Sequence, residues 1–215
     1  MLVSPGIFGA SQTTESTWIY QSGNWTRVNS TLEPSSRTNP ALVYDAADGC
    51  VLLFGGQGAS SGLGLNDTWS FSAGNWTELS PTRSPPTSGG GAITYDEATG
   101  YVLYVTGTDT GFETWDWSGG VWTNLNITLA WSVAGEGITP YAEMVYDAAA
   151  GYPLLIGGST TSCPGGIGIC LVTWTLVNGS WVDVTNSSGQ APPPLNGTSL
   201  TYDFADNEVL LFGGY

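Results

Sequence analysis

The chain has 215 residues, with 18 Asp and Glu against only three basic residues (Arg27, Arg37 and Arg83), a formal charge of −15, and neither Lys nor His. That composition excludes imidazole relays and His metal ligands as well as Schiff-base and P-loop chemistry. Its negative charge repels phosphate backbones and argues against a nucleic-acid partner.

Only 10% of residues are charged, against about 25% in an average soluble domain, so solubility has to come from other groups. The 41% hydrophobic content is sufficient for a packed core, and 31 Gly with 12 Pro suit a turn-rich β protein. No apolar run approaches the ~18 residues of a membrane span. Residues 1–10 lack a basic n-region and do not read as a signal peptide. Residues 1–14 are read as an N-terminal extension and residues 15–215 as one repeat domain.

The first expected element is a hairpin from Trp18 to Arg27, in which Trp18 and Tyr20 alternate with polar residues and Gly23 lies in the turn before Trp25. The next is the hairpin ALVYDAADGCVLLFGG. Its first strand ends at Asp45, whose short side chain suits capping the turn. Gly49 supplies the left-handed conformation the turn needs, and the second strand runs into Gly55-Gly56. Cys50 falls on that strand with no base to activate it, and reads as a single thiol rather than a nucleophile. The segment TWSFSAGNWTEL follows, with Trp69 and Phe71 in alternation and Gly74 before Trp76.

This pair of hairpins then recurs. Tyr95-Asp96 leads through Gly100 to Thr106-Gly107, then Trp115, Trp117 and Trp122 around Gly119-Gly120. Tyr146-Asp147 leads through Gly151 to Gly157-Gly158, then Trp174, Leu176 and Trp181 around Asn178-Gly179. The hairpin from Leu200 to Gly214, with Tyr202-Asp203 and Asn207, comes last. The tyrosine anchors are spaced 51, 51 and 56 residues apart, each tyrosine lies 11 residues before the first position of the glycine pair, and paired tryptophans lie seven apart. The glycine pairs are expected to admit a bulky neighbour, with tryptophan the candidate. Nine of the ten tryptophans are expected in the core. Trp131 alone lies outside the repeat.

The pattern of apolar strand, turn, strand ending in Gly-Gly, and Trp-closed hairpin resembles kelch repeats, of the kind that build the central domain of galactose oxidase. The resemblance covers roughly residues 15–215 and implies an all-β chain: a β-propeller of four-stranded antiparallel blades, with strands a to d running from centre to rim. The chain would supply a c–d hairpin, three whole blades and an a–b hairpin, about four blade equivalents with incomplete terminal blades. Three arrangements of the ends remain open. They could pair within the chain, the chain could be an excerpt of a longer propeller, or the last hairpin could be completed head to tail by another copy.

Eight asparagines stand in N-x-S/T sequons: Asn24, Asn29, Asn66, Asn75, Asn126, Asn178, Asn186 and Asn196. Some recur with the repeat, but Asn29, Asn126, Asn186 and Asn196 lie in poorly repeating linkers, and surface N-glycosylation is expected. Cys163 and Cys170 flank a Gly-rich loop and are expected to form a disulfide, stabilising by roughly 2–3 kcal/mol; two free thiols are the alternative. Both features suit an extracellular or cell-surface location.

A binding patch is expected where the two longest connections, residues 123–142 and 159–172, meet on one face, with Trp131, Glu136, Tyr141 and Glu143 as its residues. Glu143 stands where other repeats have Ala41, Ala92 and Ser199. Catalysis is not expected, and neither is a metal or cofactor. Copper-radical galactose oxidases need histidine ligands, and three scattered arginines do not make the cluster that grips a substrate carboxylate in sialidases. The expected role is structural, adhesive or self-assembling, with partners among copies of itself or surface glycans and proteins. The alternatives are a glycan- or protein-binding module using the face around Trp131, and a fragment of a larger propeller enzyme.

Overall fold

Among the described residues, eight tight turns between paired strands recur with the sequence repeat. In four of them an aspartate caps the backbone: Asp45 Oδ1 accepts hydrogen bonds from the N–H groups of Ala47 (3.0 Å) and Asp48 (3.2 Å). Asp96, Asp147 and Asp203 repeat the arrangement two and three residues downstream. Each of these turns closes with a left-handed residue: Gly49, Gly100, Gly151 or Asn207. The other four are two-residue turns, Ser22-Gly23, Ala73-Gly74, Gly119-Gly120 and Asn178-Gly179, with φ positive at both positions. That geometry matches the right-handed twist of the strands it joins.

The computed structural model describes residues 2–3, 16–87, 90–108, 111–127, 142–157, 171–185, 192 and 197–214. Among these residues the fold is all-β, with no helix. The first sheet has three antiparallel strands, β1 (Leu2–Val3), β2 (Trp18–Gln21) and β3 (Asn24–Arg27). The second contains β4 (Arg37–Thr38), β5 (Ala41–Asp45), β6 (Cys50–Gly58), β7 (Gly64–Ser72) and β8 (Asn75–Leu79), with β4 and β5 sharing one edge of β6. The third is four-stranded, β9 (Ala92–Asp96), β10 (Tyr101–Thr108), β11 (Gly111–Ser118) and β12 (Val121–Asn124). So is the fourth, β13 (Glu143–Asp147), β14 (Tyr152–Gly157), β15 (Val172–Val177) and β16 (Ser180–Asp183). The last hairpin is β17 (Thr198–Asp203) with β18 (Glu208–Gly213).

Register repeats along with sequence. The second and third strands of the three larger sheets pair with Leu53 opposite Trp69, Tyr104 opposite Trp115, and Leu155 opposite Trp174. A β-bulge interrupts the second sheet between Phe54 and Gly56, where Gly55 has φ +60°. Thr106 holds the matching place in the third sheet, and there the ladder runs on without a shift. The residue that breaks the glycine pair thus also removes the bulge.

Gly56 and Gly157 do not make room for tryptophan. A Cβ on Gly56 would lie 2.7 Å from the Thr38 carbonyl oxygen, and one on Gly157 would lie 2.8 Å from the Ala142 Cα. At these two positions what approaches is the backbone leading into the first strand of the same sheet, whereas Gly55 is approached by the Leu65 carbonyl of β7.

The first strands β5, β9, β13 and β17 lie side by side in that order, and the sheets they begin stack against one another. Three apolar clusters fill the interfaces. Val28, Leu53, Trp69, Phe71 and Trp76 join the first sheet to the second. Leu52, Phe54, Val102, Tyr104 and Trp122 join the second to the third. Leu103, Val105, Phe112, Leu155 and Trp174 join the third to the fourth. Among the described residues β18 pairs only with β17, and β2 pairs with β1 and β3, so the terminal hairpins do not pair with each other. Trp18 and Trp25, expected in the core, are exposed: among the described residues no preceding sheet packs on them as the first sheet, with Val28, packs on Trp69 and Trp76.

Candidate functional site

Three of the four threonines that precede a third-strand tryptophan, Thr17, Thr68 and Thr114, have a structural task that the sequence pattern contained but did not explain. The indole of Trp76 donates to Thr17 Oγ1 (2.8 Å), that of Trp122 to Thr68 (3.0 Å), and that of Trp181 to Thr114 (2.9 Å). Every one of these bonds is buried and reaches from the outermost strand of one sheet to the sheet before it. Each gives a buried indole N–H the partner it needs.

Arg37, almost fully buried, is the other polar centre. It grips Asp67 with two hydrogen bonds (2.6 and 2.7 Å) and also donates to the carbonyls of Gly55 and Ser35. Asp67 in turn accepts the Trp69 indole N–H at 2.7 Å. Burial pushes the Asp67 carboxyl up, but the bonds from Arg37 and Trp69 outweigh it and hold the group below its ordinary value. The pair ties the entry into the second sheet to β7 and leaves no free guanidinium there for an anionic ligand. Cys50 is half-buried on β6. Burial, helped by the charges of Asp45 and Asp48, pushes its thiol up, the opposite of an activated nucleophile.

Of the four residues assigned to a binding patch, Trp131, Glu136 and Tyr141 lie outside the described residues. Glu143 opens β13, opposite Ile156 on β14. Its counterparts Ala41 and Ala92 are buried, and Glu143 is half-buried, with its carboxyl pushed up to about 7 by burial. Among the described residues no cluster of three or more His, Cys, Asp or Glu is placed to hold a metal. No helix there is long and apolar enough to cross a membrane.

The asparagines Asn24, Asn29, Asn66, Asn75, Asn126 and Asn178 are all exposed. Asn24 and Asn75 make the same local contact, each side-chain amide donating to the carbonyl two residues back. Asn186 and Asn196, and the cysteines Cys163 and Cys170 with their expected disulfide, lie outside the described residues.

The remaining surface feature is the pair of terminal hairpins. On β18, Leu210 is 52% and Phe212 79% exposed, whereas Leu52 and Phe54 at the matching positions of β6 are buried in the interface with the next sheet. On the first hairpin Trp18, Tyr20 and Trp25 are exposed, whereas Trp69, Phe71 and Trp76 are buried.

No family model matches the chain, and no curated protein matches it. Among solved structures, it is similar to one described as "Structure of YjhT", with a TM-score of 0.49 and 15% sequence identity, over 79% of this chain and 52% of the other. The chain thus spans about half the length of that structure.

Proposed function

We infer that this chain forms kelch-like β-propeller blades of an extracellular or cell-surface glycoprotein, and that its role is structural rather than catalytic. The propeller reading is supported by the first strands β5, β9, β13 and β17 lying side by side and by the repeated indole-to-threonine bond between successive sheets. The observation that carries the role is the exposure of every described sequon asparagine on a chain with so few charges. Sugar at those sites supplies the hydration that Lys, Arg and acids supply elsewhere. Several polar groups, meanwhile, are occupied in holding the fold: Asp45 and Asp96 in turns, Arg37 with Asp67, and the indoles of Trp76, Trp122 and Trp181 with threonines.

The test is the intact mass of the protein from its native source before and after enzymatic removal of N-linked sugars. A loss of mass with conversion of sequon asparagines to aspartate is the expected result. An unchanged mass with all eight sites unmodified overturns the glycoprotein assignment.

A further inference from the structure

The ends of the chain expose what its middle buries, and the two exposed surfaces match. In the three larger sheets the second strand pairs antiparallel with the third in one register, which places Leu53 opposite Trp69, Tyr104 opposite Trp115 and Leu155 opposite Trp174. The last hairpin has the second strand, β18, with nothing on its outer edge among the described residues. The first has the third strand, β2. Carried over, the common register sets Leu211 opposite Trp18, Leu210 opposite Ile19 and Phe212 opposite Thr17.

The faces agree as well as the edges. Leu52 and Phe54 face the following sheet in their cluster, so Leu210 and Phe212 face the place of a following sheet. Trp69 and Trp76 sit in the cluster with Val28 of the preceding sheet, so Trp18 and Trp25 face the place of a preceding one. The sheet-to-sheet hydrogen bonds lack one member at each end. Trp76, Trp122 and Trp181 reach Thr17, Thr68 and Thr114. Among the described residues Trp25 has no preceding sheet to reach, and Thr173, the next threonine in the series, receives no indole.

We propose that β18 of one copy pairs with β2 of a second copy, so that the β17–β18 and β2–β3 hairpins make one four-stranded sheet and Trp25 donates to Thr173 of the other copy. The occupant is a second copy because three interfaces inside this chain already show what covers these residues, and the chain carries both halves of a fourth. The two-residue strand β1 now occupies the edge of β2, with Leu2 opposite Ile19 and Val3 opposite Trp18. Those are the places that Leu210 and Leu211 take in the assembly, so β1 is a short stand-in that the longer β18 displaces. The contact is head to tail, and whether it closes as a ring or extends as a filament follows from the angle between successive sheets. This inference rests on the repeat architecture proposed above and not on the sugars.

The test is the solution mass of the 215-residue chain by light scattering across a concentration series, for the wild type and for Phe212→Asp and Trp25→Asp. Both side chains are exposed in the single copy; Trp25 also packs on Tyr20 within its own hairpin, and circular dichroism checks that the β signature persists in both variants. The wild type is expected to associate and each variant to stay monomeric. Mixing the two variants is expected to restore a one-to-one dimer, since each retains the end that the other has lost. A wild type that stays monomeric throughout overturns the proposal, as does association that survives in either variant alone, which would mark a different interface. A monomer that still loses mass on deglycosylation sinks the assembly and leaves the glycoprotein reading standing, so the two failures are distinct.

Discussion

Glu143 departs from its repeat by placing a carboxyl where other sheets have a small side chain. Buried alanine fills its position in the second and third sheets, and a carboxylate there gives up part of its hydration. Burial raises its pKa from 4.5 to about 7. The folded state therefore binds the proton more tightly than the unfolded chain. Its stabilising effect is complete below about pH 4.5, declines as pH rises toward 7, and is absent above that. Glu143→Gln should be more stable than the wild type at pH 8 by about 1–3 kcal/mol, on the scale of 1.4 kcal/mol per pKa unit, with the gap closing by pH 4. Urea midpoints at the two pH values measure this. A gap that is equal at both would show that the carboxyl is solvated and its pKa ordinary.

At the scale of elements, the interface between sheets combines apolar contact with one buried hydrogen bond. Thr68 and Trp122 are both almost fully inaccessible, and their bond is 3.0 Å long. Thr68→Val keeps the shape and removes the acceptor, leaving a buried indole N–H without its partner at a cost of about 1–3 kcal/mol. Thr173→Val should cost the monomer little, because Thr173 receives no such bond there. Thermal melts of the two variants compare them directly, and equal losses would mean that the threonines act through packing alone.

The same elements show how far the sequence could be read. The strands, turns and capping aspartates were legible because each depends on local chemistry: Asp45 on the next three residues, Asn178-Gly179 on its own backbone angles. The exposure of Trp25 was not, because burial depends on which sheet stands beside a strand, and Trp25 has the same local sequence as Trp76. The role of Gly56 was misread for a similar reason, since its neighbour Pro40 is brought close by the path of the chain into β5. The Arg37–Asp67 pair spans 30 residues and has no counterpart in the other repeats to mark it. Of the expected binding patch, Glu143 alone can be placed, and its departure from alanine was visible in the repeat itself.

At the scale of the whole molecule, stability should be graded from the middle outward. The third sheet is covered on both faces, by the second and fourth, and β10 carries an almost unbroken buried run from Val102 to Thr106. The terminal hairpins have a neighbour on one side only, and β18 has exposed apolar residues and an outer edge with no strand paired to it among the described residues. Local opening there exposes little additional surface, so it requires only part of the global unfolding free energy. Hydrogen exchange on dilute protein should therefore show the slowest amides in β10 and β14 and the fastest in β17 and β18. Uniform protection from β6 to β18 would mean that the sheets open only together. Raising the concentration adds a second constraint, because a copy docked on β18 closes its amides but leaves β10 as it was. Protection that grows with concentration at β18 and β2 alone would locate the contact between copies on the strands that the register names. Growth spread evenly over all sheets would instead report general association without a defined interface.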